Sequence, residues 1–311
     1  MLIFLLCFSI NIFSFSPEEK DFNKIREFKE ENILDISDII ISTKSSNINI
    51  LSSTENKISA LWQAEIATGF GFKPPHLIVS KKDKKISIKI DYGEKYDFLS
   101  ENIKMRKAIL SIKLPISFTR NLNISSISGE INIPKIINKD IHIEDISGNI
   151  TAKHLDGNTI WLRNTSGNID IDVLSGESSR IVNVSGDLNV KKATAKNLFI
   201  KTTNSEIKLE ELNSYSEISA ISSSINIVKL VPGNTLKINT ISGNVNLITD
   251  KYTNKEFSFS TISGKIMCET EHVLDKKDRF SYSGHYMAGT SKKHSTIFIS
   301  TVSGDINFKN H

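Results

Sequence analysis

Four aspartates have the type and spacing that could do chemistry: Asp145, Asp170, Asp172 and Asp187. Asp170 and Asp172 alternate in "NIDID" and would point the same way from one strand, with the other two on neighbouring segments. Paired carboxylates act as acid and base in glycoside hydrolysis, and carboxylate oxygens also bind Ca²⁺. We interpret the four as ordinary exposed charges, and keep a carbohydrate-active enzyme that uses them as an alternative.

A second candidate for chemistry is the Ser-Gly pair that recurs along the chain. Its glycines are Gly129, Gly148, Gly167, Gly186, Gly243, Gly264 and Gly304. A serine nucleophile needs one copy and an adjacent base, whereas no histidine recurs beside these pairs. Since glycine tolerates positive φ, we predict that the seven glycines are structural corners. The residues that follow them should form a polar ladder: Glu130, Asn149, Asn168, Asp187 and Asn244.

Other motifs that could hold a ligand are absent from the sequence. The seven histidines have no metal-ligand spacing, and "GFGF" at 69–72 lacks the strand-to-helix frame of a dinucleotide site. Trp62 and Trp161 are predicted to serve core or edge packing rather than sugar stacking. The lysines are scattered and the net charge is +4, which does not indicate nucleic-acid binding. We therefore predict no catalytic residue, metal site or cofactor.

The elements that position these residues follow from a repeat. Gly129, Gly148, Gly167 and Gly186 succeed one another at intervals of 19 residues, and apolar residues alternate around each of them. Alternation with period two predicts strands with one buried face, and a stacked repeat buries those faces together. The sequence thus predicts an all-β fold, a parallel β-solenoid (single-stranded β-helix) of about 19 residues per coil. In "IHIEDISGNI" the inward residues should be Ile141, Ile143, Ile146 and Ile150.

The domain organisation is predicted in four parts. Residues 1–16 have a short apolar run typical of a signal peptide, below the roughly 20 residues of a membrane span. Residues 17–32 are predicted as a linker or short helix. Residues 33–118 should form an N-terminal β cap continuous with the solenoid. Residues 119–311 should form the solenoid repeats, with an irregular insertion at about 269–295.

The chain resembles a known bacterial family. The segment "LPISFTRNLNISSISGEINI", the serial T/I-S-G-D/N-I coils and the terminal "STVSGDINF" carry the resemblance, over about residues 37–308. That domain-of-unknown-function family is described as a putative adhesin with β-strand repeats, similar to head domains of putative autotransporter adhesins. The resemblance implies an exported or membrane-associated β-solenoid without assigned catalysis. It supplies no functional residues.

Together these observations favour an exported, non-enzymatic β-solenoid that acts as a cell-envelope scaffold or adhesin-like interaction surface. The partner would be an envelope protein or polysaccharide, and not a nucleic acid. Membrane association through an uncleaved N-terminus and homo-oligomers stay open, as does location in the periplasm, at the cell surface or outside the cell. A self-assembling envelope filament is the other alternative to the enzyme.

Overall fold

The computed structural model describes residues 22–68, 73–93, 103–269, 273–277, 280–286 and 293–310. All helices and strands assigned in these ranges are β-strands, because alternating side chains give each segment one face to bury. Within the same ranges, no helix is long and apolar enough to cross a membrane. The predicted signal peptide at 1–16 and the "GFGF" turn lie outside the described residues.

The described strands form one hydrogen-bonded network of 24 members. In chain order they are β1 (Asn23–Asn32), β2 (Asp38–Ser42), β3 (Asn47–Ser53), β4 (Lys57–Thr68), β5 (His76–Lys82), β6 (Lys85–Asp91), β7 (Ile103–Pro115), β8 (Asn121–Ser125), β9 (Ile131–Asp145), β10 (Ile150–Ser166), β11 (Ile169–Ser185), β12 (Leu188–Ala193), β13 (Asn197–Asn204), β14 (Glu206–Leu212), β15 (Tyr215–Ser222), β16 (Ser224–Leu230), β17 (Thr235–Ser242), β18 (Val245–Thr249), β19 (Asn254–Thr261), β20 (Ile266–Glu269), β21 (Val273–Lys277), β22 (Ser281–Tyr286), β23 (His294–Ser303) and β24 (Ile306–Asn310).

The middle of the molecule is a parallel β-solenoid, as predicted. Each residue pairs with its counterpart one coil later: Ile131 with Ile150, Ile150 with Ile169, and Ile169 with Leu188. Each coil has two outer faces. The leading face is formed by segments that follow a corner glycine, such as Ile150–Ala152, and the trailing face by segments that precede the next one, such as Ile160–Leu162.

The core runs along the solenoid axis as columns of stacked apolar side chains. In the β10 coil the buried members are Ile150, Ala152, Leu155, Ile160 and Leu162. Each isoleucine or leucine among them contributes about 1.5–3 kcal/mol when fully buried, and the alanine contributes less. Because every coil repeats the arrangement, the inward residues of one coil pack against those of the next.

The last coil in the sequence, and the first parallel strands of the chain, each lie one coil inside an end of the solenoid. β23 pairs with β17 on one side and β19 on the other, and β24 lies likewise between β18 and β20. At the other end, β2 lies between β6 and β8, and β3 lies between β7 and β9. The coil that comes last in the sequence is therefore held by two ladders.

Antiparallel strands cover the N-terminal end of the solenoid and, at the far end, the edge of β19. β4 pairs antiparallel with β7 and β1, and β5 pairs antiparallel with β6. At the far end β22 pairs antiparallel with β19, and β21 with β22. These additions interrupt the parallel stacking and so protect edges that could otherwise pair with another molecule.

Two sequence expectations were wrong. Residues 23–32 of the predicted linker or short helix form β1, because ten residues pair in register with β4 and Ile25 packs against the core. Ile146, expected to face inward, is 47% exposed. At the corner the period of two breaks, and Ile146 and Ser147 both point outward.

The insertion predicted at about 269–295 is a paired hairpin where it is described. β21 and β22 form that hairpin, and β22 pairs with the edge of β19. Residues 270–272, 278–279 and 287–292 lie outside the described residues.

Candidate functional site

The seven predicted corner glycines all lie where one coil stacks on the next. A Cβ on Gly186 would overlap the carbonyl oxygen of Gly167, and a Cβ on Gly167 would overlap that of Gly148. None of the seven positions has space for a Cβ atom. Of the seven, only Gly167, Gly186 and Gly243 have positive φ, of 154°, 115° and 137°. Close approach of two backbones, more than the expected positive φ, is therefore what these corners require.

Hydrogen bonds confirm a polar ladder beside the corner. Asn149 Oδ1 accepts from the backbone N–H of Asn168, and Asn168 Oδ1 accepts from that of Asp187, both at 2.9 Å. Asp187 Oδ1 then accepts from the N–H of Glu206 at 3.2 Å. Each side chain satisfies a backbone donor that has left the strand ladder, which gives these residues a structural role.

The four candidate carboxylates do not share one exposed site. Asp187 belongs to the corner ladder. Asp170 and Asp172 lie on the leading face, where Asn189 Nδ2 donates to Asp170 at 2.9 Å and Lys191 Nζ lies 2.7 Å from Asp172. This contact raises the pKa of Lys191 above its ordinary value.

Asp145, predicted to be exposed, is buried beneath the corner, with 0% exposure. Its Oδ1 accepts from the N–H of Ile146 at 2.9 Å, while Oδ2 has no hydrogen-bond partner among the described residues. Burial raises the pKa of Asp145 above its ordinary value of 3.8, against the opposing effect of backbone N–H groups at the corner. The next two coils carry Asn164 and Asn183 at this position, also buried.

An apolar ridge runs along the outside of the corner. It consists of the residues two before the corner position in successive coils. Thr165 and Thr203 occupy this position in two coils, and its exposed apolar members are Ile127, Ile146, Val184, Ile221, Ile241, Val302 and Ile262. Serines lie beside most of them, as in Ser147, whose Oγ donates to the carbonyl of Ile127 at 2.9 Å. From Ile127 onward, no charged side chain occupies either of these two columns.

The trailing face carries a feature that sequence reasoning missed. Five outward side chains on β10, β11 and β13 form what we call the aromatic–basic patch: Trp161, Arg163, Arg180, Phe199 and Lys201. Trp161 pairs with Arg180 and Arg180 with Phe199 across the strands; Arg163 pairs with Val182 and Val182 with Lys201. Thr159, Ser178 and Asn197 lie beside the patch, and the five patch residues include no carboxylate. Glu144 on the preceding coil pairs with Arg163, with Oε1 3.7 Å from Arg163 Nη1.

Ring contacts fix the orientation of the patch. The rings of Trp161 and His142 have centroids 4.0 Å apart, and the Arg180 guanidinium lies 5.8 Å from the centroid of Phe199. Burial lowers the pKa of His142 below its ordinary value, against the opposing effect of Glu144. Trp62, in contrast, is fully buried in the cap and donates to Ser46 Oγ at 3.1 Å, as core packing predicts.

A buried lysine in the C-terminal coils also escaped the sequence reasoning. Lys255 is fully buried and donates from Nζ to the Asp250 carbonyl at 2.6 Å and to Asn310 Oδ1 at 3.0 Å. Burial lowers its pKa to about 8. Among the described residues, no group of three or more His, Cys, Asp and Glu side chains could hold a metal ion.

Comparison with known families identifies the family to which this repeat belongs. The model of the family described as Toastrack DUF4097 matches residues 36–309, which include every corner glycine and the whole patch. The chain belongs to the Toastrack DUF4097 family. This agrees with the β-solenoid architecture and the family resemblance of the sequence.

Solved structures similar to this Toastrack chain come from several bacteria. One, described as a putative lipid binding protein from Parabacteroides distasonis, is 14% identical, with 91% of this chain and 96% of that chain covered and a TM-score of 0.51. A putative cell adhesion protein from Clostridium sporogenes is 14% identical over 93% and 100% of the chains, with a TM-score of 0.30. A putative adhesin from Bacteroides fragilis is 12% identical over 91% and 97%, with a TM-score of 0.38. No curated protein matches the chain.

Proposed function

We propose that this Toastrack chain is an exported, non-enzymatic β-solenoid that acts as an adhesin-like interaction surface of the cell envelope. The observation that carries the proposal is the aromatic–basic patch on three consecutive coils. Arg163, Arg180 and Lys201 project from a rigid sheet, and the patch itself holds no acidic residue; Arg163 is paired at 3.7 Å with Glu144 of the preceding coil. Side chains held on a rigid frame lose little freedom on binding, which favours contact with an external partner.

The carbohydrate-active alternative required its four aspartates to work together. Asp145 is buried, Asp187 is engaged at the corner, and Asp172 is paired with a lysine. This separation supports a binding role over one in which the four aspartates act as a general acid and base.

The proposed function is tested by binding to envelope material. The charge-reversal variant R163E/R180E changes the patch, and K153E/K191E makes the same change in charge on the leading face of the same solenoid. We expect R163E/R180E to bind an envelope fraction of the source cells about tenfold more weakly, and the control to bind like the wild type. Equal retention of both variants would refute the role of the patch.

Export is a separate part of the proposal. It is supported by the apolar segment at 1–16, which has the length of a signal-peptide core. Cell fractionation with N-terminal sequencing of the mature protein would test it. An intact N-terminus in the cytoplasmic fraction would contradict export.

A second candidate function, lateral self-association, is favoured by the apolar ridge. The occupant of the ridge would be a second copy of the chain, because a strip without charges brings no like charges together when it meets itself. Antiparallel strands cover the N-terminal end and the β19 edge of the far coil, which favours side-by-side contact over the self-assembling filament considered from the sequence.

Sedimentation equilibrium tests this candidate. If the ridge mediates association, the wild type should form dimers that I146K/I241K does not form, while the melting temperature stays unchanged because both side chains are exposed. A wild type that stays monomeric at high concentration would exclude it.

A further inference from the structure

We infer that the aromatic–basic patch binds an acidic polysaccharide, with a short stretch of the glycan lying along the solenoid axis across Trp161, Arg180 and Phe199. The inference rests on the proposed function and names the ligand class of the same site.

The first support is the order of the side chains along the axis. Trp161 and Phe199 stand two strands apart, about 10 Å, with Arg180 between them. A pyranose ring has a face of C–H groups that can lie on an aromatic face, whose quadrupole is negative. The guanidinium between the two rings is placed to meet a carboxylate or sulfate on the same chain, in a charge-assisted pair.

The second support is the preorganisation of the patch. Trp161 is held against His142, and Arg180 lies over Phe199, so both are oriented before any ligand arrives. The patch lies on the outer face of a sheet, which suits a linear polymer better than a small molecule that needs enclosure.

The third support is the limit of the positive field. Glu144 pairs across the strands with Arg163 on the coil before the patch, and Glu217 pairs with Phe199 on the coil after it. Glu144 is ion-paired with Arg163 at 3.7 Å. The two carboxylates therefore limit the positive charge to three coils, a length that spans a few sugar rings. A single-stranded nucleic acid, which aromatic and cationic side chains can also bind, needs a positive groove that follows its backbone further. The observations therefore favour the polysaccharide.

The inference is tested with the full chain and defined polymers. Trp161 reports on its own site, because the second tryptophan, Trp62, is buried in the cap. We expect polygalacturonate or dextran sulfate to change the fluorescence of Trp161 in a saturable way, and neutral dextran to leave it unchanged. Removing two cations in R163Q/R180Q should weaken affinity about tenfold. The matched leading-face variant K153Q/K191Q should stay within about twofold of the wild type.

Several results would overturn the inference. One is no binding of either acidic polymer. Another is equal weakening by K153Q/K191Q, which would indicate attraction to net charge alone. A third is tighter binding of oligo-dT, or of vesicles that contain phosphatidylglycerol. In W161F, which should keep the fold, affinity unchanged from the wild type, measured by calorimetry, would contradict stacking on the indole.

Failure of the inference can be separated from failure of the proposed function. If the patch variants lose envelope binding but no acidic polysaccharide binds, the patch is an interaction surface for another ligand. If the patch variants bind the envelope fraction normally, the proposed function itself fails.

Discussion

The leading and trailing faces of the β10, β11 and β12–β13 coils are built on one core and have different surfaces. On the leading face the lysines Lys153, Lys191 and Lys192 lie among carboxylates: Lys191 pairs with Asp172 and Lys192 with Glu211 of the next coil. On the trailing face the outward positions hold three cations and two aromatic rings, with no acid. The repeat thus fixes the inward columns through packing and leaves the outward columns free to differ.

The trailing face tolerates its charge because the cations are staggered. Arg180 lies between Trp161 and Phe199 in one column, and Val182 separates Arg163 from Lys201 in the other. No two cations are therefore direct neighbours across the strands, a position in which like charges destabilise a sheet. The leading face uses attraction instead, with Lys191 and Asp172 2.7 Å apart.

The largest predicted effect breaks the frame that both faces share. Gly186→Ala puts a Cβ against the Gly167 carbonyl at a φ of 115°. Positive φ costs about 1–2 kcal/mol and overpacking about 1–3, so we expect a loss of about 2–5 kcal/mol in the free energy of unfolding. Urea denaturation would measure it, with both faces lost in one transition.

The matched control for this prediction is Gly233→Ala. Gly233 has a φ of 90°, but its added Cβ would come no closer than 3.8 Å to the nearest side chain, that of Lys293. Gly233→Ala should therefore lower the free energy of unfolding only by the cost of a positive φ, about 1–2 kcal/mol. Equal losses in the two variants would mean that close stacking of the coils adds nothing to the need for glycine.

The sequence was sufficient to predict what the inside of the coil requires. Ile131, Ile150 and Ile169 stack as the repeat indicated, because packing permits little else there. The orientation of Ile146 could not be predicted by alternation, since the corner turns two successive residues outward. Likewise, the insertion of β23 between β17 and β19 depends on a pairing choice between distant strands, which no local pattern encodes.

Two features of the surface were not predicted, the burial of Asp145 and the aromatic–basic patch, and the causes differ. Asp145 is buried because the position three before the corner glycine also faces inward. An inward column of polar residues cannot be recognised from apolar alternation, and this one holds Asp145, Asn164 and Asn183. The patch was detectable. Six residues before the corner position, successive coils read Trp161, Arg180 and Phe199, a column that becomes visible once polar and aromatic positions are aligned as carefully as apolar ones.

A smaller predicted effect is a gain in the stability of the solenoid beneath both faces. In the next coil Asn164 Nδ2 donates to the Gly148 carbonyl at 2.8 Å, so Asn at position 145 should reach the equivalent carbonyl of Gly129. Asp145→Asn removes a buried charge and adds this bond, and we expect a gain of about 1–2 kcal/mol at pH 7.

The pH dependence of Asp145→Asn has a definite sign. Because the pKa of Asp145 is raised in the folded protein, the folded state binds its proton more tightly than the unfolded state. Wild-type stability from this group is present below the ordinary pKa of 3.8 and is lost as pH rises through the folded pKa. The part of the advantage of Asn that comes from the buried charge should therefore shrink as pH falls toward 3.8. An advantage that grew toward acid pH would contradict a raised pKa.

The smallest predicted effect is on the leading face, and it is the sharpest test of the comparison. Asp172→Asn breaks the pair with Lys191, but both side chains are largely exposed, so water and salt already screen their attraction. We expect no measurable change in the urea midpoint at low or high salt. The substitution also makes the leading face more positive by one charge without adding an aromatic ring. If affinity for polygalacturonate rose with that charge, net charge alone would account for binding, and the two faces would differ only in how strongly they bind. Unchanged affinity would indicate that binding needs the aromatic rings and staggered cations of the trailing face together.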